Sequence, residues 1–583
     1  MLAGITCVLF GLASASASAA YRVELDAPDS LRKLLEEFLD LERYKDREDL
    51  NADQLNFMAA TAPDQVAKLA ATEGYFSTKT TVRVDESSGK TTVRLAVDAG
   101  PRTRVSDVGL QVSGAASEES PRQVDKLRQG WSLNQGDPFR QQDWDKAKQD
   151  GLEILRQRRY AAARIADSEA RIHPERHEAE LSVEYDSGPA FTLGPVQVSG
   201  TQRYPQRIIE NVNPLQVGEE FSTERLLEFQ RQILRTPYFS NAVVSIDRDP
   251  AHSELAPVNV NVTEFPTQRV RGGVGYGTDT GAHVEGRYSH YNIFGRAWVF
   301  DAQTRLEQRR QTGSLELAMP PDGSAFVNSA QASIERTTLE GVDLSSRRIG
   351  LRRARTTDEY DLAFTLEYFN DRLEQTSGAA LPSDTIVLPG VHQALVAGFA
   401  RTHRQVDNPL FPRSGHISTY QAGIAVKGPL TDETFFRLYW RRQDFRPVGK
   451  TDLVILRGEL GAVISKGGNA QIPASLLFRA GGTESIRGYS YQSIGNEQNG
   501  TVYPTRFLAT GSVEYQHWFT ASWGGAVFYD LGTATDNWPE KQIFHAVGIG
   551  ARWRSPVGRI NVDLGYGIQR SQIRPHLSLG VAF

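Results

Sequence analysis

The stretch RFLATGSVEYQHWF, residues 506–519, alternates along its length, and that alternation decides the fold. Phe507, Val513 and Tyr515 fall on one face, while Thr510, Ser512, Glu514 and Gln516 fall on the other. Successive side chains of an extended chain point to opposite sides, so this is a strand with one apolar and one polar face. A polar face that carries a carboxylate suits a wall between lipid and a water-filled lumen. WGGAVFYDLGTA (523–534) repeats the pattern, with Val527, Tyr529 and Leu531 opposite Asp530. Glu514 and Asp530 therefore face the lumen from adjacent strands.

The same texture extends in both directions. GHISTYQAGIAV (415–426), DLVILRGELGAVIS (452–465) and RINVDLGYGI (559–568) alternate in the same way. In HLSLGVAF (576–583), Leu577, Leu579, Val581 and Phe583 share one face, while His576, Ser578, Gly580 and Ala582 share the other. About sixteen such segments fill residues 266–583, an even number, as single-chain bacterial barrels require. Short turns such as NIFGR (292–296), PPDGS (320–324) and SPVGR (555–559) alternate with long polar connections at 371–391 and 465–504. Barrels of the outer-membrane type have short periplasmic turns and long external loops. A β-sandwich, typically of about 100 residues, is too small to absorb this length. No stretch approaches the ~20 apolar residues of a membrane-spanning helix, and a barrel needs none. The expectation is a 16-stranded antiparallel transmembrane β-barrel over 266–583.

Ahead of the barrel, three landmarks recur in the same order. Tyr75 and Phe76, then Tyr160, then Tyr238 and Phe239 each follow a helical stretch and precede a strand, at roughly 80-residue spacing. DAGPRTRVSDVGLQVSG (98–114) matches DSGPAFTLGPVQVSG (186–200), Gly-Pro opening an alternating strand that closes in Ser-Gly. NQGDPFRQQDWDKAKQDGLEILRQ and QVGEEFSTERLLEFQRQILRT both run from Gly, an acid and Phe into an amphipathic helix. In the second, Phe221, Leu226, Phe229 and Ile233 form one stripe suited to packing on a small sheet. This predicts three α+β units of β-α-α-β-β outline, at 21–100, 101–187 and 188–265.

The first residues read differently. Leu2 to Leu12 is largely apolar, and 13–20 contains only Ala and Ser, the layout of a secretory signal cleaved near Ala19 or Ala20. Its n-region has no Lys or Arg, which fits a start codon placed too late. The single cysteine, Cys7, falls within this leader, so the mature chain is expected to have no disulfide or thiolate chemistry.

Basic and acidic residues nearly balance, 65 against 70, which argues against nucleic acid as a partner. GGVGYG (272–277) resembles a dinucleotide fingerprint, but no helix follows it. His173 and His177 have metal-like spacing, yet Pro174 separates them and the surroundings alternate like a strand, so solvated histidines are expected. There is no G-x-S-x-G elbow and no P-loop. The chain is expected to be no enzyme and to need no metal or cofactor.

Four motifs within the barrel carry a family resemblance. Ile486-Arg487-Gly488-Tyr489 in the long connection resembles a (V/I)-R-G-(F/Y) loop motif, and Phe528-Tyr529-Asp530-Leu531-Gly532 resembles an F-x-D-x-G strand. GSVEYQ (511–516) matches the strand before it, and DNPLFPRSG (407–415) a D-x-P-L-x-P-x-x-G turn. With these in family order, the chain resembles the BamA/TamA superfamily of outer-membrane assembly factors, whose repeated units are called POTRA domains. The resemblance implies an outer-membrane barrel with the POTRA-like units in the periplasm. It also implies a sixth external loop folded inward, with Arg487 against Glu514 and Asp530 in a structural and gating role.

The ends of the barrel carry a second expectation. RVRGGVGYGTDTG (269–281), its first strand, holds Gly272, Gly273, Gly275 and Gly277. Each glycine weakens a strand by roughly 0.5–1 kcal/mol, so the seam with the last strand is expected to be weak. An opened seam offers an edge for an incoming β-strand, which matches the lateral gate proposed for the family. The alternative is that these glycines clear space for lumenal aromatics. Leu579, Val581 and Phe583 resemble the C-terminal assembly signal of such barrels.

Three POTRA-like units resemble the TamA subfamily, which implies a TamB-like, inner-membrane-anchored partner and β-rich outer-membrane or secreted clients. A dedicated two-partner-type secretion pore and a role in phospholipid transport are the alternatives, and a passive channel would need neither the arm nor the Arg487 loop.

Overall fold

The computed structural model describes residues 21–582 except 48, 88–89, 340, 377–386 and 556–557. The signal-like segment 1–20 with Cys7, and Phe583 at the end of the C-terminal signal, lie outside the described residues.

The first described unit has strands Tyr21–Asp26, Lys79–Ser87 and Lys90–Asp98, with helices Asp29–Phe38, Asp40–Arg43 and Ala52–Thr72 between the first strand and the second. The chain is committed to the long helix by Asn51, whose side chain accepts from the Gln54 amide while Gln54 reaches back to the Asn51 amide. Leu55, Met58, Ala62, Val66 and Ala70 then recur at helical spacing and are buried. The first strand lies beside the third and runs parallel to it, from Tyr21↔Thr91 to Asp26↔Ala96. That parallel pair needs a crossover, which the helices supply.

The second unit repeats the plan. Strand Arg104–Ser113 pairs parallel with Glu178–Asp186, which pairs antiparallel with Arg164–His173. Helix Gln141–Arg156 buries Trp144, Ala147, Leu152 and Leu155. A third sheet orders Leu193–Ser199, Ala256–Glu264 and Phe239–Ile246, with helices Arg207–Asn211 and Thr223–Arg235 in the connection. Phe221, Leu226, Phe229 and Ile233 are all buried, as their stripe predicts. Tyr160, Tyr238 and Phe239 are likewise buried at 0–1 % exposure, while Tyr75 and Phe76 of the first repeat are partly buried against the cores.

The remainder is a closed antiparallel barrel of sixteen strands. In chain order they are β1 (Gln268–Gly277), β2 (Gly281–Ile293), β3 (Trp298–Glu307), β4 (Arg310–Ala318), β5 (Val327–Leu339) and β6 (Val342–Thr356). There follow β7 (Tyr360–Gln375), β8 (Gly390–Val406), β9 (Gly415–Ala425), β10 (Phe435–Val448) and β11 (Asp452–Ser465). The last five are β12 (Phe507–Trp518), β13 (Trp523–Thr535), β14 (Phe544–Ser555), β15 (Gly558–Gly567) and β16 (Gln572–Ala582). Each pairs with the next, and β16 closes on β1.

Val274, Leu315, Ile349, Leu366, Val527 and Ile549 stand exposed on the outer face, as strands facing lipid require. The strand expected at 269–281 is shorter than its sequence suggests: Thr278 and Asp279 lie in the turn beyond it. The connection expected at 371–391 is shortened too, because β7 continues to Gln375. The connection between β11 and β12 holds a small hairpin of Asn496–Gln498 with Thr501–Tyr503.

Candidate functional site: a loop tip bound to the barrel wall

The β11–β12 loop folds into the lumen. Ile472, Leu476, Phe478, Ile486, Tyr489 and Ile494 of the loop join Phe369, Val396, Phe435, Val463 and Leu508 of the wall in one buried cluster. Apolar burial therefore holds the loop inside, and polar contacts fix its register. Asn469, Asn496 and the Arg506 amide all donate to Asp536, just beyond β13. Burial of Asp536 outweighs those bonds and holds its carboxyl above the usual carboxylate range.

At the tip, Arg487 lies where the motif places it. Its Nε and Nη2 donate to the two oxygens of Asp530 at 2.8 and 2.9 Å, and its own amide adds a third bond at 3.0 Å. Nη1 donates to Glu514 at 2.6 Å. The guanidinium also sits 3.4 Å from the centroid of the Phe528 ring. Alternation on β12 and β13 explains this arrangement, because it turns Ser512, Glu514, Phe528 and Asp530 inward while Val513, Tyr515, Val527 and Tyr529 face out. A fork of donors on a carboxylate pair specifies both position and plane, which a lysine cannot reproduce.

Three further members escaped sequence reasoning. Arg552 on β14 donates to Glu514 at 2.7 Å and to Asp563 of β15 at 2.6 Å. Asp563 also accepts from Arg487 at 3.2 Å. Arg457 on β11 stands 3.8 Å from Asp530 and donates to Ser512. Arg487, Glu514, Asp530, Arg552 and Asp563 are each at most 7 % exposed. The alternation that marks Glu514 also turns Asp563 inward within RINVDLGYGI, so one signal for it was present in the sequence.

Gly488 and Tyr489 complete the tip. Gly488 has a positive φ of 87° and lies against the backbone of β15. The Tyr489 hydroxyl lies 2.9 Å from the His545 carbonyl and 2.6 Å from Gln569 Oε1, either of which can accept its one proton. Ile486 is fully buried. Gly532 sits where a Cβ would come within 2.6 Å of the Ala509 carbonyl, so it permits close strand approach.

Gly272, Gly273, Gly275 and Gly277 all lie on β1. Among the described residues the closing ladder with β16 holds five pairs, Gly273↔Ala582 to Gly277↔Ser578, whereas β6 and β7 share fifteen. β16 divides its pairing: Gln572–Leu577 bond to β15 and Ser578–Ala582 to β1. Among the described residues, a Cβ on Gly272 or Gly277 would meet nothing nearer than 3.9 Å. Leu579 and Val581 lie on β16 at the seam, opposite Tyr276 and Val274. Among the described residues there is no group of three metal-ligating side chains.

Residues 292–583 match the Omp85 superfamily domain, and residues 191–264 match the POTRA repeat described as "Surface antigen variable number repeat". The chain therefore belongs to the Omp85 superfamily. It is an outer-membrane protein whose POTRA portion lies in the periplasm. Among curated relatives, it is 25 % identical over 512 residues to the outer membrane protein assembly factor BamA of Nitratidesulfovibrio vulgaris, covering 84 % of this chain and 62 % of that protein. It is 20 % identical to BamA of Neisseria meningitidis serogroup B over 87 % of this chain and 70 % of that one. The crystal structure of BamA from Haemophilus ducreyi lacking POTRA domains 1–3 shares the fold, with a TM-score of 0.60 at 16 % identity over 82 % of this chain and all of that one.

Proposed function

We propose that this protein inserts or translocates β-rich client proteins at the outer membrane through the seam between β1 and β16. The observation that carries the reading is the short closing ladder, five pairs among the described residues, built on a glycine-rich strand. Parting it costs few backbone bonds and presents an unpaired edge to an incoming strand. The Arg487 cluster is the lock that fixes the loop in the lumen, with Glu514 and Asp530 as its seats. Sequence units 21–100, 101–187 and 188–265 form a three-unit arm, which favours a TamA-like assignment with a TamB-like partner. No catalytic chemistry enters the scheme, and the folding free energy of the client drives insertion.

The test is a lock. Gly275 and Gly580 face each other across the seam, and beyond Cys7 the chain has no cysteine. Directly paired residues of antiparallel strands lie within disulfide reach. In Gly275→Cys/Gly580→Cys protein reconstituted in liposomes, oxidation should abolish insertion of a purified autotransporter barrel, and reductant should restore it. Insertion that continues through the oxidised seam overturns the proposal and transfers the weight to secretion through the lumen or to phospholipid transport.

A further inference from the structure

The loop tip reaches both edges of the seam. The Thr483 amide donates to Asp279 Oδ2 at 3.0 Å, and Asp279 lies in the turn that follows β1. The Thr483 hydroxyl lies 3.2 Å from Nδ1 of His576, which belongs to β16. The Gly488 amide donates to Nε2 of the same ring at 2.8 Å. His576 is 2 % exposed. Gly482, at a φ of +103°, allows the approach, since a Cβ there would stand 3.0 Å from the Asp279 carboxylate. Beside these contacts the strands meet directly: the Thr278 amide donates to the Leu577 carbonyl, and the Leu577 amide to the Thr278 hydroxyl.

The geometry assigns the ring its protons. A backbone N–H can only donate, so Nε2 of His576 is an acceptor and carries no proton. The neutral ring then bears its hydrogen on Nδ1 and donates it to Thr483 Oγ1. Protonation would set two N–H groups against each other at Nε2. The charged groups around the ring are Asp279 from the turn, 3.8 Å from Nδ1, with Asp563 of β15, Asp530 of β13 and Arg487 of the loop.

We infer that Asp279, Thr483 and His576 clasp the two seam strands together through the loop tip, and that the clasp holds only while His576 is neutral. Acidification frees Gly488 from β16 and loosens the seam from its outer end. The inference rests on the proposal that the seam opens, but client insertion plays no part in its test.

The measurement is single-channel conductance of the full-length protein in planar bilayers. Large openings should become at least about five-fold more frequent between about pH 8 and about pH 4.5, a span that reaches well below the ordinary imidazole value near ~6.5 because the Gly488 N–H opposes a proton on Nε2. In His576→Gln the amide oxygen still accepts from Gly488 and its NH₂ still donates to Thr483, so the channel should stay closed and lose the pH step. Thr483→Val should open more often at both pH values. With the Gly275→Cys/Gly580→Cys bridge oxidised, the step should vanish. A step that persists in His576→Gln, or that survives the oxidised bridge, overturns the clasp, as does a wild-type protein without a step.

Discussion

Gly488 and Gly565 leave each other no room for a side chain: a Cβ on Gly565 would stand 2.6 Å from the Gly488 nitrogen, and one on Gly488 2.9 Å from the carbonyl carbon of Tyr566. Loop tip and barrel wall meet backbone to backbone. Gly565→Ala should therefore lift the tip, displacing Arg487 from its carboxylates and lowering the thermal midpoint of the solubilised barrel. Gly286→Ala on β2 is the control, because nothing lies within 4 Å of that Cβ. The control should raise stability by roughly 0.5–1 kcal/mol through the lost freedom of the unfolded chain.

Arg487→Ala leaves Asp530 with only Arg457, 3.8 Å away, and Glu514 with only Arg552, and losing one partner of such a buried cluster costs about 3–5 kcal/mol. Arg487→Lys should recover only part of that loss, since an ammonium cannot span both Asp530 oxygens as the fork does. A double-mutant cycle of Arg487→Ala with Asp530→Ala, followed by thermal unfolding, should show strong non-additivity. Additive losses would mean that the pair contributes nothing as a pair.

Asp407 begins the turn between β8 and β9 and accepts from the amides of Arg413, Ser414 and Asn408 at 2.9–3.1 Å. Those bonds, led by Arg413 and Ser414, hold its carboxyl below the usual carboxylate range. A depressed folded value means that the turn is fully supported above the unfolded value near ~3.9 and loses support as pH falls through the folded one. Hydrogen exchange at the Arg413 and Ser414 amides should stay protected at neutral pH and rise only below that range. Asp407→Asn should leave the protection lower and independent of acid.

Phe229 is fully buried on the helix Thr223–Arg235. Phe229→Ala should cost about 3–5 kcal/mol. Limited proteolysis should then cut first within 191–264 while the barrel still migrates as folded on a heat-modifiability gel. Equal protection of both proteins would show that this segment is held by something other than its core.

Much of the fold and of the site is legible in the sequence alone. Period-two alternation gave the barrel and the inward direction of Glu514 and Asp530, and the (V/I)-R-G-(F/Y) motif gave their partner. Arg552 and Asp563 obey the same alternation but lie on strands that drew no motif, so nothing in sequence distinguished them from ordinary lumenal polar residues. His576 could be placed on the lumenal face, yet its partners Gly488 and Asp279 are brought to it only by loop entry and barrel closure. The divided pairing of β16 was equally hidden, because hydrogen-bond register at a seam depends on shear around the whole barrel rather than on either strand alone.

Arg487, Arg552 and Arg457 face Glu514, Asp530 and Asp563, three guanidinium groups to three carboxylates. One of the six, Arg487, belongs to the loop and the other five to the wall. Should the loop leave, it takes that positive charge from the cluster and strands an uncompensated negative one on the β12–β15 wall, while the departure of its Glu484 leaves Arg441 of β10 unpaired. A pore opened in that way would carry two fixed charges of opposite sign that the closed barrel neutralises, and their hold on permeating ions would fade as salt screens them.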